Sequence, residues 1–447
     1  MNAGLNDRWI PDAEADVGGF GARSKLSVDA PAYLGRLPAI FRASDRMLSP
    51  DREGDDFTRN TFRRNVGQHG PVSGLSVRFQ GCGKEKKEST MPRKTVQKAG
   101  AVLLALAAGC MALAPVAQAC TRLVYHGADG NIVTARSMDW KLDVATNLWA
   151  FPRGMERNGE AGENSFKWTS KYGSVIATGY DVSTTDGMNE RGLVANVLWL
   201  VESDYPQFDR KKPGLTIAAW AQYVLDSYAT VDEAVRALEE EPFTIVTDSV
   251  PGETRLTTLH LSLSDASGDS AIVEYIGGRQ VIHHDRSYQV MTNSPVFDQQ
   301  LALNAYWKQI RGTVMLPGTN RASDRFARAS FYVNAIPKAE DPNRALASVF
   351  SVIRNVSVPF GITTPDEPNI SSTRWRTVAD HKRGLYFFES ALTPNTFWLD
   401  LKKIDFSPET GKTMKLDLGK DQDHTYSGDA TAALVPAEPF RFLGPQP

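Results

Sequence analysis

Cysteine is scarce in this chain. Its 447 residues hold three, Cys82, Cys110 and Cys120, which excludes a disulfide framework as the source of stability. Charge of one sign is lacking as well. Fifty Lys and Arg stand against 52 Asp and Glu, a formal net charge of −2, so there is no electrostatic footprint for nucleic acid. No HExxH motif and no Cys/His cluster at ligand spacing is present, which argues against a metal, and no glycine-rich phosphate loop points to a nucleotide cofactor. Histidine offers no obvious base. His126, His260, His283, His284 and His381 fall in strand-like or turn-like segments without a Cys/His signature. In a strand, the adjacent His283 and His284 would face opposite sides.

What is present divides into three parts. Residues 1–90 carry little apolar periodicity and include DREGDD (51–56) and KEKKE (84–88). Such a segment buries too little apolar surface to offset chain entropy. Met91 then opens a basic stretch (Arg93, Lys94, Lys98), an apolar run AGAVLLALAAGCMALAPVA (99–117) and a small-x-small site, Ala117-Gln118-Ala119. That order is the order of a secretory signal. Pro115 and the small-residue flanks make the run a poor membrane span. Residues 91–119 are therefore expected to be removed on export to the periplasm or beyond. Residues 1–90 are read as the product of a misplaced start codon, with a disordered extension as the alternative. LAAGC (106–110) also offers a second processing site, a lipoprotein box that would anchor a non-catalytic binding module through Cys110.

Residues 120–447 read as one α+β domain without linker or repeat. CTRLVYH (120–126) and NIVTARSM (131–138) flank Gly127-Ala128-Asp129-Gly130, a hairpin pattern. Strands are expected at 172–180, 192–202, 257–265, 270–276, 279–284 and 288–293, with a Gly277-Gly278 turn. Helices are expected at 215–228, 230–239, 323–336 and 343–356, the second opened by a Thr230–Glu233 capping box. Hairpins, a helical pair, more sheet and more helices suggest two sheets layered between helices.

Cleavage after Ala119 would leave Cys120 with both a thiol and a free α-amine. With reference pKa values of roughly 8.5 and 7.7–8.0, the amine can act as base for its own thiol. Arg136, on the second hairpin strand, is a candidate to favour the thiolate. Asp139 is a candidate to hold the protonated amine or to orient Arg136. Residues three apart on a strand face opposite sides, so convergence of the two requires a bulge around Ser137–Met138.

Together, Cys-Thr-Arg at the processed N-terminus, ARSMDW (135–140), DGMNERGL (186–193), MTNSP (291–295) and LPG…DRF (316–326) resemble the choloylglycine hydrolase family, which includes penicillin V acylases and conjugated bile salt hydrolases. The resemblance implies a four-layer αββα N-terminal-nucleophile hydrolase fold, no cofactor and a homotetramer. It places the nucleophile at Cys120, a charged pair at Arg136 and Asp139, and a second arginine at Arg325. It assigns the oxyanion hole to the Asn293 amide and the Trp199 backbone N–H. Trp140 and Trp199 fall where the Gram-negative branch shapes its acyl pocket. Asn189 is read as scaffold. The expected partner is a small-molecule amide, with no nucleic acid and no membrane after signal cleavage. Penicillin V or an N-acyl homoserine lactone ranks first and a bile salt second. A histidine-dependent cysteine protease is a further alternative.

Overall fold

The computed structural model describes residues 120–365, 370–418 and 426–445. The expected signal, the expected lipoprotein box and residues 1–90 lie outside them. Two sheets face each other. One has seven strands, ordered Val290–Met291, β1 (Cys120–His126), β2 (Ile132–Trp140), Ser372–Asp380, Leu385–Ser390, Thr396–Asp400 and Gly428–Asp429. The other has nine, ordered Arg279–His284, Ser270–Ile276, Leu259–Ser264, Val194–Trp199, Ser183–Asn189, Ser174–Gly179, Leu148–Phe151, Met414–Leu416 and Val435–Pro436. Within these two sheets all pairings are antiparallel except the outermost Thr396–Asp400 with Gly428–Asp429.

Helices Ala322–Ala335 and Pro342–Asn355 pack on β1 and β2. Helices Trp220–Ser227 and Val231–Glu239 cover the nine-stranded sheet. The order of layers is therefore helix, sheet, sheet, helix, the αββα sandwich. Strands of the inner layers are buried on both faces, so they read as near-continuous apolar runs rather than alternating ones; Ser174–Gly179 and Val194–Trp199 are buried throughout.

Local chemistry sets the element ends. Thr230 Oγ1 accepts the Glu233 N–H at 3.2 Å, and the Glu233 carboxylate accepts the Ala229 N–H at 2.8 Å, which completes the expected box one residue early. Gly277 and Gly278 both take positive φ, 59° and 72°, as a two-residue hairpin turn requires.

Two expectations need correction, and one helix was not expected at all. The stretch 215–228 opens as a short strand, Gly214–Thr216, paired with Thr244–Val246, and becomes α-helical only at Trp220. The stretch 288–293 pairs only at Val290–Met291. A helix at Phe297–Ile310 went unforeseen because it buries just Phe297, Gln300 and Asn304, too sparse a stripe to read as amphipathic. Among the described residues no helix is long and apolar enough to cross a membrane.

Candidate active site

Cys120 opens β1 directly opposite Met138 of β2, and Arg122 stands opposite Arg136. Side chains alternate along a strand. Cys120, Arg122, Arg136, Met138 and Trp140 therefore share the face turned toward the second sheet, while Thr121, Ser137 and Asp139 share the face turned toward the helices. The bulge expected at Ser137–Met138 is absent. β2 runs unbroken to Trp140, and the register shift sits on its neighbour, between Thr373 and Trp375. Arg136 and Asp139 thus flank the cysteine from opposite faces, and the orienting contact expected between them is not made.

The thiol meets both. The backbone N–H of Asp139 points to Cys120 Sγ at 3.5 Å, and Arg136 Nη2 lies 3.9 Å from it. The same Nη2 donates to Val197 O at 3.2 Å, and the guanidinium stacks on Trp375, 4.6 Å from its ring centre. Among the described residues Arg136 makes no ion pair. Its charge acts on the thiol and on the buried Asp186 and Asp139 carboxylates alike, and a nearby cation favours the thiolate. Burial pushes the Cys120 thiol up, Arg136 pulls it back down, and the Asp139 charge pushes it up again.

Asp139 is wholly buried. Its carboxylate accepts from Thr373 Oγ1 at 2.5 Å and from Ser137 Oγ at 3.3 Å, and Arg325 Nη1 stands 4.0 Å away. Burial raises its pKa to about 6, against the pull of Arg325 and of the Thr373 hydrogen bond.

Arg325 reaches in from helix Ala322–Ala335. Its Nη1 donates to Cys120 O and to Thr121 Oγ1, both at 2.5 Å, and its Nη2 donates to Asn293 Oδ1 at 3.0 Å. Asn293 then links three elements. Its Oδ1 also accepts the Cys120 N–H, and its Nδ2 donates to Trp199 O at 2.7 Å. An amide nitrogen carries two protons, so one remains for another acceptor.

The Trp199 peptide is turned the same way. Leu200 N–H donates to Thr258 O at 3.0 Å, which makes Trp199 and Leu259 a non-hydrogen-bonded pair in their ladder. The Trp199 N–H and carbonyl therefore point away from that neighbour. On the other side, pairing with Ser183–Asn189 ends at Asn196.

A pocket opens beside Cys120. Arg136, Met138 and Trp140 from one sheet and Val197 and Trp199 from the other line it. Trp140 and Trp199 lie with ring centres 5.3 Å apart, tilted by 42°. Tyr180, at the tip of a tight turn, and Leu443, near the C-terminus, also belong to the walls. Sequence reading named neither. Tyr180 follows a glycine at a strand end and gives no chemical signal, and Leu443 is distant from every motif.

The histidines engage elsewhere. His126 bonds Gly268 O, His381 bridges Thr134 Oγ1 and Gly192 O, His260 and His283 face Glu274, and His284 meets Asp269. Asn189 is occupied entirely by backbone partners: it donates to Leu225 O and Tyr228 O and accepts from Arg191 N and Leu193 N. Arg122 is the buried residue that sequence reading passed over. It donates to Leu263 O at 2.7 Å, Ser270 Oγ at 3.0 Å and Tyr288 O at 3.2 Å, tying β1 to the second sheet. Burial lowers its pKa to about 9.

Residues 120–414 match the family of linear amide C-N hydrolases, choloylglycine hydrolase family. The chain belongs to the choloylglycine hydrolase family. It is accordingly a hydrolase of linear amide C–N bonds. A penicillin V acylase of Pectobacterium atrosepticum is 61% identical over 351 residues, 74% of this chain and 93% of the relative. The solved structure of penicillin V acylase from Agrobacterium tumefaciens is 75% identical, with a TM-score of 0.69, and covers 73% of this chain and 100% of that one. A bile salt hydrolase/transferase of Clostridium perfringens is 26% identical over 324 residues, 66% of this chain and 96% of the relative. In this choloylglycine hydrolase, the five motifs that carried the resemblance all border the two facing sheets or the helix that bears Arg325.

Proposed function

We propose that the protein is a cysteine N-terminal-nucleophile penicillin V acylase, exported and matured by cleavage before Cys120. The observation that carries this reading is the arrangement of Asn293 between the Cys120 nitrogen and the Trp199 carbonyl. In this reading it ties the would-be amine of Cys120 to the two groups that would serve as oxyanion donors, its own amide and the Trp199 N–H. The 61% identity to a penicillin V acylase supports the substrate, and the signal-like order of residues 91–119 supports a periplasmic location.

The mechanism follows from the groups present. The freed α-amine of Cys120 takes the thiol proton, and Arg136 favours the thiolate. Sulfur attacks the amide carbon. The oxyanion that forms is met by Asn293 Nδ2 and the Trp199 N–H, donors fixed in place before reaction. As the C–N bond breaks, the α-ammonium gives its proton to the leaving amine. Water then loses a proton to the α-amine, attacks the thioester and releases the acid and the thiol. Arg325 holds the Cys120 carbonyl, and Asp139 stands behind Arg325 on the helix side.

The apolar pocket walled by two tryptophans suits a phenoxyacetyl group. Its walls also suit a fatty acyl chain, which keeps N-acyl homoserine lactones as a second substrate class. Side-by-side turnover of penicillin V, an acyl homoserine lactone and glycocholate tests the ranking. Penicillin V should be cleaved fastest, and Cys120→Ser should abolish cleavage. Fastest cleavage of glycocholate would favour the bile salt reading.

A further inference from the structure

The C-terminal tail takes part in the pocket. Leu443 lines it, although the residues matched by the family end at 414. The tail is held by its backbone. Leu443 N–H donates to Val182 O at 2.8 Å, and Thr216 Oγ1 donates to Leu443 O. Val182 and Thr216 both line the same pocket. They belong to the side of the nine-stranded sheet, whereas Cys120 belongs to the seven-stranded one.

Further contacts fix the tail on both sides of Leu443. Arg441 pairs with Glu160 at 2.6 Å, and Phe442 is buried. Phe440 meets Trp149 edge-on, with ring centres 5.4 Å apart. Gly444 lies so close to the Glu160 carbonyl that a Cβ would come within 2.0 Å of its oxygen. Any side chain at that position would lift the tail.

We infer that Leu443 is a specificity-determining residue, an apolar stop that limits how long an acyl chain the pocket accepts. The inference rests on the acylase reading above. Leu443 lines the same pocket as Trp140 and Trp199, the pocket that the acylase reading assigns to the acyl group, so its size bears on acyl length.

The test is kcat/KM for hexanoyl, decanoyl and dodecanoyl homoserine lactones and for penicillin V. The proteins compared are the wild type, Leu443→Ala, Leu443→Phe and Gly444→Ala, with thermal melts to confirm folding. Leu443→Ala and Gly444→Ala should raise the dodecanoyl-to-hexanoyl ratio by about fourfold per methylene newly accommodated. Leu443→Phe should lower dodecanoyl turnover by roughly tenfold and leave hexanoyl turnover within about twofold. Profiles that superimpose on the wild type would overturn the inference. If the wild type cleaves none of these amides, the acylase reading fails on its own. The stop is then read from quenching of tryptophan fluorescence by hexanoate, decanoate and dodecanoate. Unchanged chain-length dependence of binding in Leu443→Ala would overturn it there too.

Discussion

The side-chain oxygen of Asn293 accepts the backbone N–H of Cys120 from 173 positions away in sequence. Its amide nitrogen meanwhile holds the Trp199 carbonyl. One side chain therefore sets the position of the proposed amine and of one oxyanion donor, and itself supplies the other. Asn293→Ala removes all three functions. It should lower kcat on penicillin V by roughly 10²–10³-fold, the usual cost of one oxyanion donor, with KM changed far less. Steady-state kinetics read this directly, and a variant that keeps wild-type kcat would dismiss the role.

Arg136 is the largest force opposing the upward push of burial on the Cys120 thiol. Removing it leaves desolvation less opposed, so the thiol pKa rises. In Arg136→Gln the ascending limb of the kcat/KM against pH profile should move to higher pH, with activity partly recovered in alkaline buffer. The rate of thiol alkylation by iodoacetamide should shift in the same direction. Superimposable profiles would show that Arg136 acts through something other than charge.

The charge on Asp139 leaves a signature in stability. Its folded pKa is about 6, against roughly 3.9 for a carboxyl in an unfolded chain. The folded protein therefore holds this proton more tightly than the unfolded one. The contribution favours folding at low pH, is lost as pH rises from about 4 through 6, and stays lost above that range. The full swing is on the order of 3 kcal/mol. Asp139→Asn has nothing to titrate. Its Tm relative to wild type should be highest above pH 6 and should fall back as the pH is lowered toward 4. A difference independent of pH would mean that the carboxylate is already compensated by Arg325 and Thr373.

The order of layers was legible because the chain alternates hairpin pairs with helix signals, and β1 with β2 followed from a single turn. Cys120, Arg136 and Asp139 were legible from the residues and Asn293 and Arg325 through the resemblance alone, and all of them meet at Cys120, two at its thiol and two at its backbone. Two things were hidden. The relation of Arg136 to Asp139 depends on where a register shift falls, and it falls on a strand more than 230 positions later, between Thr373 and Trp375. Nothing in β2 itself encodes that. Arg122 was hidden for a different reason. A buried arginine whose recorded partners are two carbonyls and a hydroxyl carries no complementary acid in the sequence to announce it. Leu443 joins the pocket through backbone bonds, which no side-chain pattern records.

The central claim is that the amine freed at Cys120 makes its own thiol reactive. The direct measurement compares penicillin V hydrolysis by two preparations, each with its N-terminus confirmed by intact mass. One begins at Cys120, and the other retains Ala119. Hydrolysis by the first alone, abolished by Cys120→Ser, is the expected result. Equal hydrolysis by the chain that still carries Ala119 would contradict the account.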